Sequence, residues 1–122
     1  MKIILPDLLS YCAFNVRFNR YGKHVSDAAK KWLFAGLDLS EKRRRGFHGL
    51  KCGLLASLCY PDAAYPQLRV CADFLGYLFY LDDISDDMDI RGTQDIADVV
   101  MNTLYHPAST CSTSRVVRLT KK

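Results

Sequence analysis

The feature that most constrains this chain is an apolar run that ends in acid. From Val70 it passes through Phe74, Leu75, Tyr77, Leu78, Phe79, Tyr80 and Leu81, and then places five aspartates in the eight residues from Asp82 to Asp89. So dense an apolar stretch is no solvated loop; it predicts one buried helix from Gln67 to about Asp87. Pro66 suits a first helical turn, where its missing N–H costs nothing, and Gly92 lies beyond the stop. The aspartates therefore fall at the helix C-terminus. Asp is a poor helix former, the C-terminus carries partial negative charge, and like charges three or four apart repel. Each effect is worth roughly 0.2 to 1 kcal/mol, and their coincidence calls for a positively charged partner.

Asp82 and Asp86 are four residues apart and project from one face of such a helix, with Asp83 one position round. A hard divalent cation could meet several of these carboxylates, and magnesium fits best. It binds through one or two protein carboxylates, keeps several waters and completes its shell with substrate phosphates.

The net charge of +4 conceals a split. The stretch from Asp82 to Asp98 holds seven Asp and one Arg, a net −6, which leaves +10 on the remainder. An even basic excess would point to nucleic acid; this asymmetry points to an acidic metal site on a basic scaffold and to no nucleic-acid partner. The 122 residues allow one domain, 1–122, with a modest core. No apolar stretch is long enough for a membrane span, and Pro6 and Asp7 break the short N-terminal apolar patch before a signal-peptide core forms. Five cysteines, Cys12, Cys52, Cys59, Cys71 and Cys111, lack CxxC spacing and paired histidines. They read as reduced thiols in a cytoplasmic protein, with Cys52, Cys59 and Cys71 as core fillers.

Residues 1–25 read as an irregular lead-in that packs a few apolar side chains. Ser26 is then a plausible N-cap for a helix through Trp32 and Phe34 to Gly36. Ser40 caps a second helix running to about Leu58, with Phe47, Leu50, Leu54, Leu55 and Leu58 on one inward stripe. The cations Lys42 to Arg45 oppose its dipole and read as a solvated face, and His48 reads as structural. Tyr60 to Pro66 is a turn. After the acidic cluster Arg91-Gly92 makes a break, Thr93 caps a helix from Gln94 to about Tyr105, and His106-Pro107 ends it. Ser109 to Ser114 form a polar linker before a fresh amphipathic pattern at Arg115. With no strand-like alternation the class is all-α, a partial bundle of roughly four or five helices.

Asp82-Asp83-Ile84-Ser85-Asp86 is a DDxxD sequence, with Leu75 and Phe79 upstream as an apolar floor beneath a metal-binding rim. With Leu5-Pro6-Asp7-Leu8-Leu9, Lys30-Lys31-Trp32-Leu33-Phe34, Phe47-His48-Gly49-Leu50-Lys51, Cys59-Tyr60-Pro61-Asp62-Ala63 and Pro66-Gln67-Leu68-Arg69-Val70, it resembles the class I terpene synthases, most closely fungal sesquiterpene synthases. The resemblance implies a helical bundle around a prenyl diphosphate pocket, with farnesyl diphosphate as substrate and Mg²⁺ triggering departure of diphosphate. It makes Asp82 the leading magnesium ligand, Asp83 and Asp86 the rest of the motif, and Asp87 an outer helper. Leu75 and Phe79 become pocket residues, Phe79 offering a ring face to a passing carbocation. The family's second metal motif and basic diphosphate sensor are absent from this sequence, whose only glutamate is Glu41. The likeness is therefore to an N-terminal portion of the catalytic domain, expected to be inactive or nearly so by itself.

Three other readings compete. Arg91-Gly92 faintly echoes chain-elongating prenyl diphosphate synthases. Asp87, Asp89, Gly92, Asp95 and Asp98 fall at the ligand spacings of a calcium-binding EF-hand loop, although Arg91 occupies a ligand position and Asp98 replaces the usual Glu. The third is a non-catalytic helical fragment whose unburied apolar faces favour self-association.

Overall fold

The computed structural model describes residues 3–7, 10–37, 39–108 and 115–121, and it is all-α, with six helices among them. The longest, α4 (Tyr65–Ser85), carries Pro66 in its first turn and covers the expected apolar run, beginning two residues early and stopping two short. Its buried positions Leu68, Ala72, Gly76, Tyr80 and Ile84 recur every fourth residue, with Tyr77 beside them. That spacing lines one helical face, so α4 lies along the core on a single stripe.

Helix α1 (Gly22–Gly36) presents a matching stripe, Val25, Ala29 and Leu33, to α4 and to α3 (Cys52–Cys59). Two clusters result. Val25, Ala29, Ala56, Leu68 and Ala72 form one; Leu33, Leu37, Phe47, Tyr77, Tyr80, Ile84, Val116 and Leu119 form the other. The first is built of small side chains, and there the helices come very close: a Cβ on Gly53 would lie 2.4 Å from Ser26 Cα. Ser26 is thus the crossing point of α1 and α3 rather than an N-cap. Helix α1 starts four residues earlier, and Tyr21 at its cap makes no side-chain bond.

Ser40 does cap α2 (Glu41–Leu50), accepting from the Arg43 N–H at 3.4 Å, with Glu41 in the first turn. The helix does not run on to Leu58. Lys51 adopts φ 50°, in the left-handed region, and α3 restarts at Cys52. The break redirects the leucine stripe: Phe47 is buried, whereas Leu50, Leu54, Leu55 and Leu58 are all partly exposed. Among the described residues α2 has no extended interface with another helix. It is anchored by Phe47, whose ring lies 6.5 Å from that of Tyr80.

Past the aspartates, Asp89 rather than Thr93 caps α5 (Ile90–Tyr105), accepting from the Gly92 N–H at 2.8 Å. Arg91-Gly92 therefore lies in the first turn of a helix, and the break falls at 86–89. His106 closes α5, its N–H bonding the Asn102 carbonyl. Helix α6 (Arg115–Thr120) packs on α5 and α1 and is tied to α4 by a hydrogen bond between the Tyr77 and Thr120 hydroxyls. The expected linker Ser109 to Ser114, with Cys111, lies outside the described residues. Cys12, Cys52, Cys59 and Cys71 are free; Cys52 and Cys71 are half-buried, while Cys59 is exposed and fills no core.

The lead-in is irregular, as expected, but Ile3, Ile4, Leu5, Tyr11, Phe14 and Phe18 are exposed rather than packed. Besides an exposed ion pair of Arg17 with Asp62, it is attached through the buried Asn19. The Asn19 side-chain amide donates to the Tyr60 and Ala63 carbonyls at 2.9 and 2.7 Å, and its oxygen accepts from the Tyr21 N–H at 2.9 Å. These bonds fix the turn that delivers the chain into α4. Asn19→Ala strands three partly buried backbone groups and is expected to lower stability by about 1 to 2 kcal/mol in urea titration followed by circular dichroism.

Candidate metal site

With 3.6 residues per turn, the aspartates divide into two pairs around the end of α4. Asp83 and Asp87 lie about 100° and 60° from the buried Ile84, on one side of it, whereas Asp82 and Asp86 lie about 160° away. Asp83 and Asp87 therefore flank the core stripe on the side where Phe47 of α2 meets Tyr80. Asp82 and Asp86 point outward and are exposed, and among the described residues no ion pair reaches them. The backbone closes the helix beneath them: the Asp86 N–H bonds the Asp82 carbonyl at 3.1 Å, and the Ser85 hydroxyl donates to the same oxygen at 2.9 Å.

The positive partner that the acidic cluster called for is Arg43, on α2. Its Nε lies 3.3 Å from Asp83 Oδ2, and its Nη2 donates to Asp87 Oδ2. One guanidinium thus spans both inward aspartates. An open cleft of about 540 Å³ surrounds the contact, lined by Ser40, Lys42, Arg43, Gly46, Phe47, Leu50, Asp83, Asp86 and Asp87. Three carboxylates face two cations across it, and Asp82 stands outside.

Arg43 is the residue that sequence reasoning missed, because the Lys42 to Arg45 run reads as a solvated face. Two of its members have partners. Arg44 places its guanidinium 5.5 Å from the centre of the Phe34 ring and its Nε 3.4 Å from the Leu39 carbonyl. The only signal for Arg43 was the unfavourable charge at each helix end, cations at an N-terminus and aspartates at a C-terminus. The His48 ring lies against Phe34, centroids 5.1 Å apart and planes tilted by 59°, a packing role.

Leu75 and Phe79 sit about 20° and 60° from Asp82 around α4. Neither lines the cleft: Leu75 is partly buried against the small-residue cluster and Phe79 against the larger one. Leu78, four residues before Asp82, is 42% exposed, and Phe74 one turn further back is 56% exposed. The open apolar surface that leads to Asp82 therefore includes these two residues, which the DDxxD spacing did not single out.

Among the described residues no three His, Cys, Asp or Glu side chains converge closely enough to hold a metal ion by themselves. The donors at the α4 terminus are nevertheless all carboxylate oxygens, and Asp83 Oδ2 is buried without a hydrogen bond. That set fits a hard cation that takes one or two protein oxygens and fills its shell from water and a phosphorylated ligand, as magnesium does. It does not fit an EF-hand. Asp89 is spent as a helix cap, and Asp95 and Asp98 lie on α5, so the required loop is a helix.

No family model matches the chain. Over 98% of its length it is 58% identical to a sesquiterpene synthase of Cyclocybe aegerita and 53% identical to sesquiterpene synthase 1 of Postia placenta. Over 87% of its length it is 48% identical to the alpha-muurolene synthase of Coprinopsis cinerea. The chain is thus similar over nearly its whole length to part of the fungal sesquiterpene synthases. It spans 35% of the length of the Cyclocybe and Postia relatives. Within the aspartate-rich segment, Asp89 is a cap. Asp89→Ala is expected to cost about 1 kcal/mol in thermal melts, and Asp89→Ser to recover most of it.

Proposed function

We propose that the chain carries the aspartate-motif segment of a sesquiterpene synthase, which ionises and cyclises a prenyl diphosphate, farnesyl diphosphate, with Mg²⁺. The observation that carries this reading is that Asp82 and Asp86 stand open at the end of an α4 face that also bears Phe74 and Leu78. A carboxylate rim at the end of an apolar surface matches a ligand with a diphosphate head and a hydrocarbon tail. Magnesium, when bound, would neutralise the departing diphosphate, so that ionisation needs no protein acid.

In this reading Asp82 is the leading ligand and Asp86 shares its face. Asp83 and Asp87 belong to the same motif but are engaged by Arg43. Leu75, Leu78 and Phe79 exclude water from the hydrocarbon, and Phe79 can turn a ring face to a developing cation, an interaction worth about 2 kcal/mol when desolvated. Kinship to sesquiterpene synthases favours this over a chain-elongating prenyl diphosphate synthase.

The test is a chimera in which these 122 residues replace the matching stretch of the Cyclocybe relative. Product from farnesyl diphosphate and Mg²⁺ is expected, and Asp82→Asn in the chimera is expected to lower kcat/KM by about 100-fold or more, since metal-centred charge stabilisation is worth several kcal/mol. An Asp82→Asn chimera with full activity would overturn the assignment. The 122 residues alone are expected to release no detectable hydrocarbon.

The exposed α4 surface also supports self-association of the isolated chain. Val70, Phe74 and Leu78 lie along one flank of the helix, exposed by 67%, 56% and 42%. A contiguous apolar surface on a small protein favours covering by another copy. Sedimentation velocity is expected to show a concentration-dependent shift to larger species, which Phe74→Lys reduces.

A further inference from the structure

Helix α2 lacks an extended interface with any other helix among the described residues, yet it presents Arg43 to two of the motif's aspartates. Asp83, in the last turn of α4, and Asp87, in the turn that follows it, both present a carboxylate oxygen to Arg43. The guanidinium is planar and multidentate, so it can hold both at once. Asp82 lies outside the cleft, and Asp86 lines it without an ion pair to Arg43. The five-aspartate cluster is thus partitioned by a single cation of the protein.

We propose that Arg43 is a positioning residue of the aspartate motif: it holds Asp83 and Asp87 against α2 and competes for them with the divalent cation, leaving Asp82 and Asp86 as the carboxylates open to metal. The inference rests on the magnesium reading above and adds to it a residue outside DDxxD. Two consequences follow from the charges. Arg43 keeps the number of carboxylates offered to the metal near the one or two that magnesium takes, where a larger cluster favours calcium with its six to eight oxygens. It also lowers the site's cation affinity in the absence of a phosphorylated ligand, because bringing Asp83 or Asp87 into the metal shell requires breaking an ion pair.

A purely structural clamp predicts the opposite sign. If Arg43 only fixed α2 in place, its loss would loosen the site, and cation binding would weaken or stay the same. Competition requires that its loss tighten binding.

The experiment is calorimetric titration of the 122-residue chain with MgCl₂, and separately with CaCl₂, for the parent, Arg43→Gln, Arg43→Lys and Asp82→Asn. Arg43→Gln is expected to bind Mg²⁺ about three- to tenfold tighter, the change produced by removing one unit charge beside a solvated site, and to gain more for Ca²⁺ than for Mg²⁺. Arg43→Lys, whose ammonium lacks the fork that spans two carboxylates, is expected to fall between parent and Arg43→Gln. Asp82→Asn is expected to weaken binding. Magnesium binding that disappears in Asp82→Asn but is unchanged or weaker in Arg43→Gln overturns the competition and leaves the metal reading intact. No magnesium uptake by the parent or by Arg43→Gln overturns both. Where circular dichroism shows Arg43→Gln unfolded, Arg43→Lys decides alone: tighter than parent supports the competition, and equal or weaker overturns it.

Discussion

The contact on which the structure depends is the lengthwise packing of α4 against α1. Both helices repeat their buried residues every fourth position, and several of those residues are small: Ala29 on α1, Ala72 and Gly76 on α4. Small side chains let the backbones approach, and the same economy brings α3 onto α1 at Gly53 and Ser26. Large side chains fill the wider end, where Leu33, Phe47, Tyr77, Tyr80 and Ile84 meet. The taper matters for the site. Ile84 is the last buried residue of α4, so the core ends where the aspartates begin. Burying even one of them unpaired would cost several kcal/mol; Asp82, Asp86, Asp87 and Asp89 are exposed, and the one buried carboxylate oxygen, Asp83 Oδ2, lies 3.3 Å from Arg43 Nε.

What the edge does not solve is repulsion among the carboxylates. Exposed ion pairs are individually worth about 0 to 1 kcal/mol, and Asp87, with its side chain 72% exposed, offers no more than that. Arg43 acts on a geometric scale instead. It holds two aspartates of the motif toward α2, a helix otherwise positioned by Phe47 and by the contacts of Arg44 and His48 with Phe34. The cations at the α2 N-terminus and the anions at the α4 C-terminus are each misplaced with respect to their own helix dipole. Brought together, they compensate each other.

The sequence was legible where local and tertiary signals agreed. The extent of α4 follows from its apolar density and from Pro66, and Ser40 is a cap because its side chain reaches the Arg43 N–H. It was illegible where a residue's use is set by a distant neighbour. Ser26 has the chemistry of a cap, but Gly53 removes the room around it and makes it a crossing point. Thr93 and Asp89 are both competent caps, and the one next to the end of α4 captured the helix start. The leucines from Leu50 to Leu58 fit a single helical period, yet the left-handed Lys51 divides them between two axes, a conformation that periodicity does not register.

The candidate site shows the same division. DDxxD spacing alone makes all its aspartates equivalent apart from their order, and one face of a helix could present three of them to a cation. The structure breaks that equivalence through the direction of the core. Ile84 must face inward, and once it does, Asp83 and Asp87 meet Arg43 of α2 while Asp82 is turned away and Asp86 lines the cleft without an ion pair. The apolar residue between the aspartates is therefore what assigns them to different surroundings. A substitution at Ile84 that let α4 rotate about its axis would exchange the two pairs without altering a single carboxylate. Which aspartates such a motif presents to Arg43 and which to solvent is in this sense a property of the hydrophobic stripe beneath it as much as of the acids themselves.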